Sequence, residues 1–329
     1  MAARLLAPLA SVYGMVARRR LKRRGHRARA PVVCIGNLTV GGAGKTPTAL
    51  ATAQLLRKFG EHPVFLTRGY GGTAKGAVEV DIARHTAADV GDEPLLLARV
   101  APTIVSRDRV AGASKAVDGG ASVIVMDDGF QNPSLEKDFS VLVVDSQRGT
   151  GNGYVIPAGP LRAPPRAQLD RAHALLLVGN GKPDAELIAA WQPLGIPVFR
   201  ADLQPDAGII ARLGEARVLA FAGIADPQKF FRTLTEAGIT VAATRHFPDH
   251  HRLTRSEVQS LLDAADQEGL VLTTTEKDFA RLTGDAALTG LAARTHALPV
   301  ALRFREEQKF TSLLAERLAV ARTNICRSG

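Results

Sequence analysis

From residue 31 onward, unbroken apolar runs alternate with stretches in which apolar residues recur at helical spacing. The runs are PVVCIGN (31–37), PVFLTRG (63–69), SVIVMDD (122–128), FSVLVVD (139–145) and HALLLVG (173–179). A strand with one wet face alternates apolar and polar residues. These runs do not, so they predict parallel strands covered on both faces. Between the first two, Lys45 to Phe59 predicts a helix ended by Gly60. Strand and helix in this alternation predict a doubly wound α/β sheet. A second set begins with RVLAFAGIA (217–225) and a helix over about 227–237. ITVAATRHF (239–247), a helix over about 256–268 and GLVLTTTEKD (269–278) complete it as a smaller α/β unit. The segments around 198–213 and 297–304 are expected to carry the chain between the units, and a last helix near 306–321 to return to the first. The expected division is 1–25, 26–212, 213–298 and 299–329, with no internal repeat and no low-complexity linker.

Composition adds a partner class. The 329 residues carry a net charge of +10, which suggests a polyanion: nucleic acid, anionic lipid or phosphate. The basic residues are crowded at the start. Twelve Lys and Arg precede the first acidic residue, Glu61, and Arg18, Arg19, Arg20, Lys22, Arg23 and Arg24 form one run. Ahead of them lies LLAPLASVYGMVA (5–17), too short as a helix to cross a hydrocarbon core of roughly 30 Å. Its charges follow the apolar part, the reverse of a signal peptide. Two readings stand: a helix lying in a membrane surface with its arginines on phosphates, or an ordinary first helix with a solvated basic tail. Cys34 and Cys326 are too few for a disulfide framework, which fits a reducing cytosol.

The candidate chemistry begins at TVGGAGKT, which comprises Thr39, Val40, Gly41, Gly42, Ala43, Gly44, Lys45 and Thr46. It is a Walker A loop with Thr39 in place of the leading glycine. It follows a strand and opens a helix, as a phosphate loop must. Its glycines let backbone N–H groups turn toward phosphate oxygens, Lys45 reaches the β- and γ-phosphates, and the Thr46 hydroxyl suits Mg²⁺. The alternative is a structural Gly-rich turn. Asp127 and Asp128 close the strand Val123–Met126, at the sheet edge that carries ligands, where a carboxylate holds Mg²⁺. If the strand continued through them they would point to opposite sides.

A phosphate loop alone does not separate a kinase from a switch GTPase or an ATPase. The guanine-reading N-K-x-D is absent. Polar clusters do fall in the loops: RGYGG (68–72), GDEP (91–94), SRDR (106–109), GNGYVIPAGPLR (151–162) and FPDHHR (247–252). In the order GNLTVGGAGKTP, RGYGG, GDEP, DDGFQ, PAGPLR, AFAGIA, FPDHH, TTEKD, the chain resembles the tetraacyldisaccharide 4'-kinase family from about residue 31 to residue 282. The family also carries Ser or Thr at the Thr39 position. The resemblance implies transfer of the ATP γ-phosphate to the 4'-hydroxyl of a tetraacylated disaccharide 1-phosphate. It implies a glycolipid substrate, ATP and Mg²⁺ as cofactors, and a peripheral seat on the anionic cytoplasmic face of the bacterial inner membrane. A monomer is expected, with no nucleic acid as partner.

Residue by residue, the resemblance makes Lys45 and Thr46 the loop lysine and Mg²⁺ ligand, and Asp127 and Asp128 the acidic pair that organises the ion. Asp92 matches the catalytic base and His250 its partner, and Arg109 and Arg162 match basic residues near the reacting phosphates. A carboxylate that takes the hydroxyl proton, oriented by an imidazole, suits this chemistry. Asp92 and His250 fall in different units, so the pair is expected to form only on closure. Without the resemblance, Asp92 reads as a helix N-cap and His250 as a surface histidine; His251 is the weaker partner. Two positions depart from the family: Asn132 where His usually follows DDGFQ, and Ala163 where Glu often follows PLR. Lys277 in TTTEKD either contacts phosphate or sits in a T-x-x-D helix cap, and the structural reading is preferred. A soluble P-loop NTPase that drives assembly or metal delivery is the alternative, but no His/Cys cluster or switch motif supports it. The absence of nucleic-acid motifs and the low aromatic content, 5%, count against a nucleic-acid binder.

Overall fold

The computed structural model describes residues 2–181 and 185–328. The described strands are β1 (Val32–Asn37), β2 (Pro63–Thr67), β3 (Ala77–Glu79), β4 (Thr103–Ser106), β5 (Val123–Asp127), β6 (Phe139–Asp145), β7 (Ala174–Val178), β8 (Val198–Pro205), β9 (Arg217–Ala222), β10 (Thr240–His246), β11 (Val271–Thr275), β12 (Thr295–Leu298) and β13 (Val300–Phe304). Nine form the larger sheet, in the order β13-β8-β7-β6-β1-β5-β2-β4-β3. It is parallel except at its rims, where β3 runs against β4 and β13 against β8. The other four form an all-parallel sheet, β10-β9-β11-β12.

The unbroken apolar runs are buried on both faces, as their pattern requires. On one face Val33, Ile35, Val125 and Val141 pack under the helix Lys45–Lys58 and the C-terminal helix Glu307–Ser328. On the other, Val32, Cys34, Ile124 and Met126 pack with Ala113 and Ala116 of the helix Arg109–Asp118. The last helix packs on the larger sheet. Phe310, fully buried, stacks on Phe304 at 4.3 Å and meets Phe199 edge-on at 5.3 Å, tying β8 and β13 to that helix. Burial of one such side chain stabilises the fold by about 1.5–3 kcal/mol.

Three strands stop short of their apolar runs for one reason. Gly69, Asp128 and Gly179 follow β2, β5 and β7 with φ of 69°, 52° and 96°, which no extended strand accommodates. Asp127 thus belongs to the strand and Asp128 to the turn. The first helix, Ala2–Leu21, is longer than its apolar segment, and the last runs on to Ser328. The first helix is built inside out. Ala10 and Gly14 face the protein, while Leu5 (81% exposed), Leu9, Val12, Tyr13, Met15 and Val16 face away. Among the described residues no helix is long and apolar enough to cross a membrane.

β8 and β13 carry the chain to and from the smaller sheet side by side, with Val300 opposite Pro205. In the smaller sheet the helices begin on caps. Asp226 accepts from the Lys229 N–H, and Thr254 and Glu257 form a capping box. Thr275 accepts from the Asp278 N–H, which is the T-x-x-D cap read from the sequence.

Candidate active site

The phosphate loop hangs between β1 and the helix Lys45–Lys58. PAGPLR backs it: Val40 N–H donates to the Pro160 carbonyl at 2.8 Å and Arg162 N–H to Leu38 at 2.9 Å. Gly41 and Gly44 have φ of 106° and 95°, where any side chain is strained. Gly42 has open space where a Cβ would lie, Ala43 is buried, Val40 is exposed and Thr39 half-buried. The sequence places glycine at the positions that need it, and Thr39, still paired with Leu161, needs none.

The loop meets the acids at the end of β5. Thr46 Oγ1 donates to Asp127 Oδ2 at 3.2 Å, and Lys45 Nζ lies 3.8 Å from Asp128 Oδ2. Asp127 is enclosed, and burial, with Glu93 next, pushes its carboxyl up. Its Oδ1 is buried with no hydrogen-bond partner. An unpaired buried carboxylate oxygen beside a threonine hydroxyl is a hard oxygen donor set, which fits Mg²⁺, an ion that takes its remaining ligands from phosphate and water. Asp128 is turned the other way. Its oxygens accept from Arg162 Nη1 and Nη2 at 2.7 and 3.0 Å. Burial alone would raise its carboxyl, but Lys45 and Arg162 together hold it below the usual range.

Arg109 is buried at the start of its helix. It is 3% exposed and donates to the Ser106 carbonyl at 2.7 Å, because Asp108 caps its helix and turns the first residue inward. No hydrogen bond joins it to Asp127 or Asp128; only its charge reaches them. The two departures are also located. Asn132 Oδ1 accepts from the Ser134 N–H and hydroxyl, closing its own turn. Ala163 is fully buried, and its carbonyl accepts from Gln168.

The second cluster joins the two sheets. Asp92, 3% exposed, is the first residue of the helix Asp92–Ala98; Gly91, not Asp92, is the N-cap. His250 Nδ1 lies 3.2 Å from Asp92 Oδ2, so the structure brings the two together across the units. His250 has φ of 60° and its N–H donates to the Gly223 carbonyl at 3.1 Å; its ring lies 5.0 Å from that of Tyr70, in RGYGG. Burial would raise the Asp92 carboxyl, but the His250 hydrogen bond and the Arg281 and Lys277 charges hold it well below the carboxylate range. The bond to Asp92, against burial, raises the imidazole. His251 turns away to Glu257 at 3.0 Å and stacks on Phe247. The structure shows Lys277 in the structural setting, just after the cap and paired with Glu93. Its ammonium is held on the Glu93 carboxylate, whose charge also reaches Asp127.

Sequence reading passed over Arg281. Its Nε donates to Asp92 Oδ2 at 2.8 Å, and Nη2 lies 2.6 Å from the same oxygen. No local signal in the sequence pointed to it, because its partner lies 189 positions away on another helix.

A parallel sheet with a phosphate loop, an acid pair at the same edge and a carboxylate–imidazole pair where the two sheets meet defines a P-loop phosphotransferase. The profile of the family Tetraacyldisaccharide-1-P 4'-kinase (LpxK) matches residues 2–319. A relative from Rhodopseudomonas palustris strain BisB5, named tetraacyldisaccharide 4'-kinase, is 53% identical over 320 residues, covering 97% of this chain and 94% of its own. One of the same name from Bradyrhizobium sp. strain BTAi1 is 52% identical over 318 residues, covering 97% and 92%. The "apo" form LpxK from Aquifex aeolicus, crystallised in complex with ATP, is similar with a TM-score of 0.73 and 26% identity over 97% of this chain and 100% of that one. The chain belongs to the tetraacyldisaccharide 4'-kinase family.

Proposed function

We propose that this chain transfers the γ-phosphate of ATP to the 4'-hydroxyl of a tetraacylated disaccharide 1-phosphate, with Asp92 as proton acceptor and His250 as the group that orients it. Membership of the family along residues 2–319 supports the reaction. The observation that carries the residue roles is the Asp92–His250 contact at 3.2 Å, made where the two sheets meet.

Lys45 and the loop N–H groups bind the phosphate chain, with Arg162 held near it by Asp128. Thr46 and Asp127 are the residues that would hold Mg²⁺, which when bound neutralises charge on the β- and γ-phosphate oxygens. In the transfer the sugar O–H bond breaks, its oxygen bonds to the γ-phosphorus, and the bond to the departing ADP opens. Asp92 is a weak base, which suits a loose transition state in which the hydroxyl gives up its proton late. Asp92 itself is buried, which limits access of water that would otherwise compete for the phosphoryl group.

The same reading assigns residues 213–298 to a unit that closes on the larger sheet, and the first helix to the cytoplasmic face of the inner membrane, outward apolar residues in lipid and the arginine run on headgroups. The inverted polarity of that helix supports the seat. The test of the function is transfer from γ-labelled ATP to the disaccharide 1-phosphate in detergent micelles, with Lys45→Ala and Asp92→Ala beside wild type. Both variants are expected to lose about 10²–10⁴-fold in rate. ATP hydrolysis by wild type without labelled lipid would sink the reading; a fully active Asp92→Ala would sink the proton-acceptor role alone.

A further inference from the structure

Arg281 lies on the helix Glu276–Leu282, and its side chain is nearly enclosed. On one side it is bound to the smaller sheet. Nη1 donates to the Gly223 carbonyl at 2.9 Å and to Asp278 Oδ1 at 2.7 Å. Asp278 is itself fixed, accepting from the Gly223 N–H at 2.9 Å and from the Thr275 hydroxyl at 2.6 Å. On its other side Arg281 reaches across to Asp92, on the larger sheet's side of the cleft.

The acceptor sites of Asp92 are then nearly all used. Oδ2 accepts from Arg281 Nε at 2.8 Å and lies 3.2 Å from His250 Nδ1, its hydrogen-bond partner, while Arg281 Nη2, 2.6 Å away, adds its charge without an aligned hydrogen bond. Oδ1 accepts only from the Glu93 N–H, at 2.8 Å. A carboxylate oxygen offers two lone pairs, so Oδ2 is saturated and Oδ1 keeps one. We infer that Arg281 is a positioning residue for the transfer: by filling Oδ2 it fixes the Asp92 carboxylate in one orientation and leaves Oδ1 as the atom that takes the hydroxyl proton. This rests on the kinase reading above. The proton passes from the sugar oxygen to Oδ1 while that oxygen's electron pair forms the bond to phosphorus. Arg281 and His250 both come from the smaller sheet, so the acceptor is aimed only while the two sheets are together.

A purely structural ion pair would not set the pH response of the reaction, and this arrangement does. The charged groups that face Asp92 are Arg281, Lys277 and His250 from the smaller sheet and Glu93 on its own helix, with Asp278 behind Arg281. Removing the guanidinium lets Asp92 take up a proton at higher pH, so the acid limb of kcat/KM moves up.

The experiment is lipid phosphorylation by wild type, Arg281→Lys and Arg281→Ala across pH, with and without added guanidinium. Arg281→Ala is expected to lose about 10²-fold in kcat, as for a misplaced reacting group. Its KM for ATP should stay within about twofold, since the phosphate loop is untouched. Its acid limb should move up, guanidinium should restore part of the rate, and Arg281→Lys should fall between. Full kcat in Arg281→Ala overturns the inference. So does a loss that only follows the folded fraction measured by circular dichroism, with the acid limb unmoved and no rescue by guanidinium, provided Arg281→Lys also keeps the wild-type limb. Absence of transfer by wild type would instead remove the kinase reading, and this inference with it.

Discussion

Asp92→Asn keeps the shape of the side chain and removes its charge, so its effects on stability and on rate can be separated. Asp92 is 3% exposed, and the Arg281 side chain beside it 10%. Taking one partner from a buried ion pair costs about 3–5 kcal/mol, chiefly because the other charge is stranded. Arg281 keeps Asp278 and the Gly223 carbonyl, which puts the expected cost near the lower end, about 3 kcal/mol. The pH dependence follows from the two shifts. His250 is raised in the fold, so it contributes stability that is full below its unfolded value near 6.5 and lost as pH rises through the folded value. Asp92 is lowered, so it contributes stability present above its unfolded value near 3.8 and lost as pH falls toward the folded one. The gap between wild type and variant should therefore be widest between about pH 4 and 6.5 and narrow on either side. Urea unfolding followed by circular dichroism from pH 3 to 9 measures it. A gap that stays constant over that range would refute the linkage between Asp92 and His250.

Three further outcomes test other parts of the molecule. Phe310→Ala should cost about 3–5 kcal/mol in urea unfolding, because the ring is fully buried among Phe304, Phe199 and Phe139; a cost under about 1 kcal/mol would contradict that packing. Asp127→Asn should lower kcat by about 10²-fold or more and raise the Mg²⁺ concentration needed for half-maximal rate; an unchanged Mg²⁺ titration would remove Asp127 from the ion's ligands. Deleting residues 1–25 should weaken sedimentation with anionic vesicles while leaving ATP binding intact, and unchanged sedimentation would leave the outward apolar face of the first helix unexplained.

The sequence was informative wherever a local rule governs. The apolar runs announce strands buried on both faces because they do not alternate, and β1 and β5 are indeed buried at every position. The phosphate loop and the acids after β5 are legible because strand, turn and helix follow one another within a few residues. β4 was not legible: TIVS is four residues long, and its burial is supplied by neighbours rather than by its own length. β3 and β12 escaped for the same reason. Arg281 escaped because a lone arginine on an amphipathic helix is ordinarily a solvated one; only the packing of one helix against another turns it inward. The first helix shows the same limit in reverse. Its apolar content is obvious in the chain, but which residues face the protein is decided by the small side chains Ala10 and Gly14 that let it approach.

The passage between the sheets has a consequence for how the molecule can be taken apart. Pro205 and Val300 are register partners, and the Asp206 N–H donates to the Pro299 carbonyl at 2.9 Å. Everything from 206 to 299 thus leaves and re-enters through one point, where a tight hairpin turn could bridge the two strands. Lys45, Thr46, Asp127, Asp128 and Arg162 lie outside that excursion; His250, Lys277 and Arg281 lie within it. A chain shortened in this way is expected to keep a nucleotide pocket and to lose both side chains that pair with Asp92, so that grip on the donor and delivery to the acceptor become separable pieces of one polypeptide.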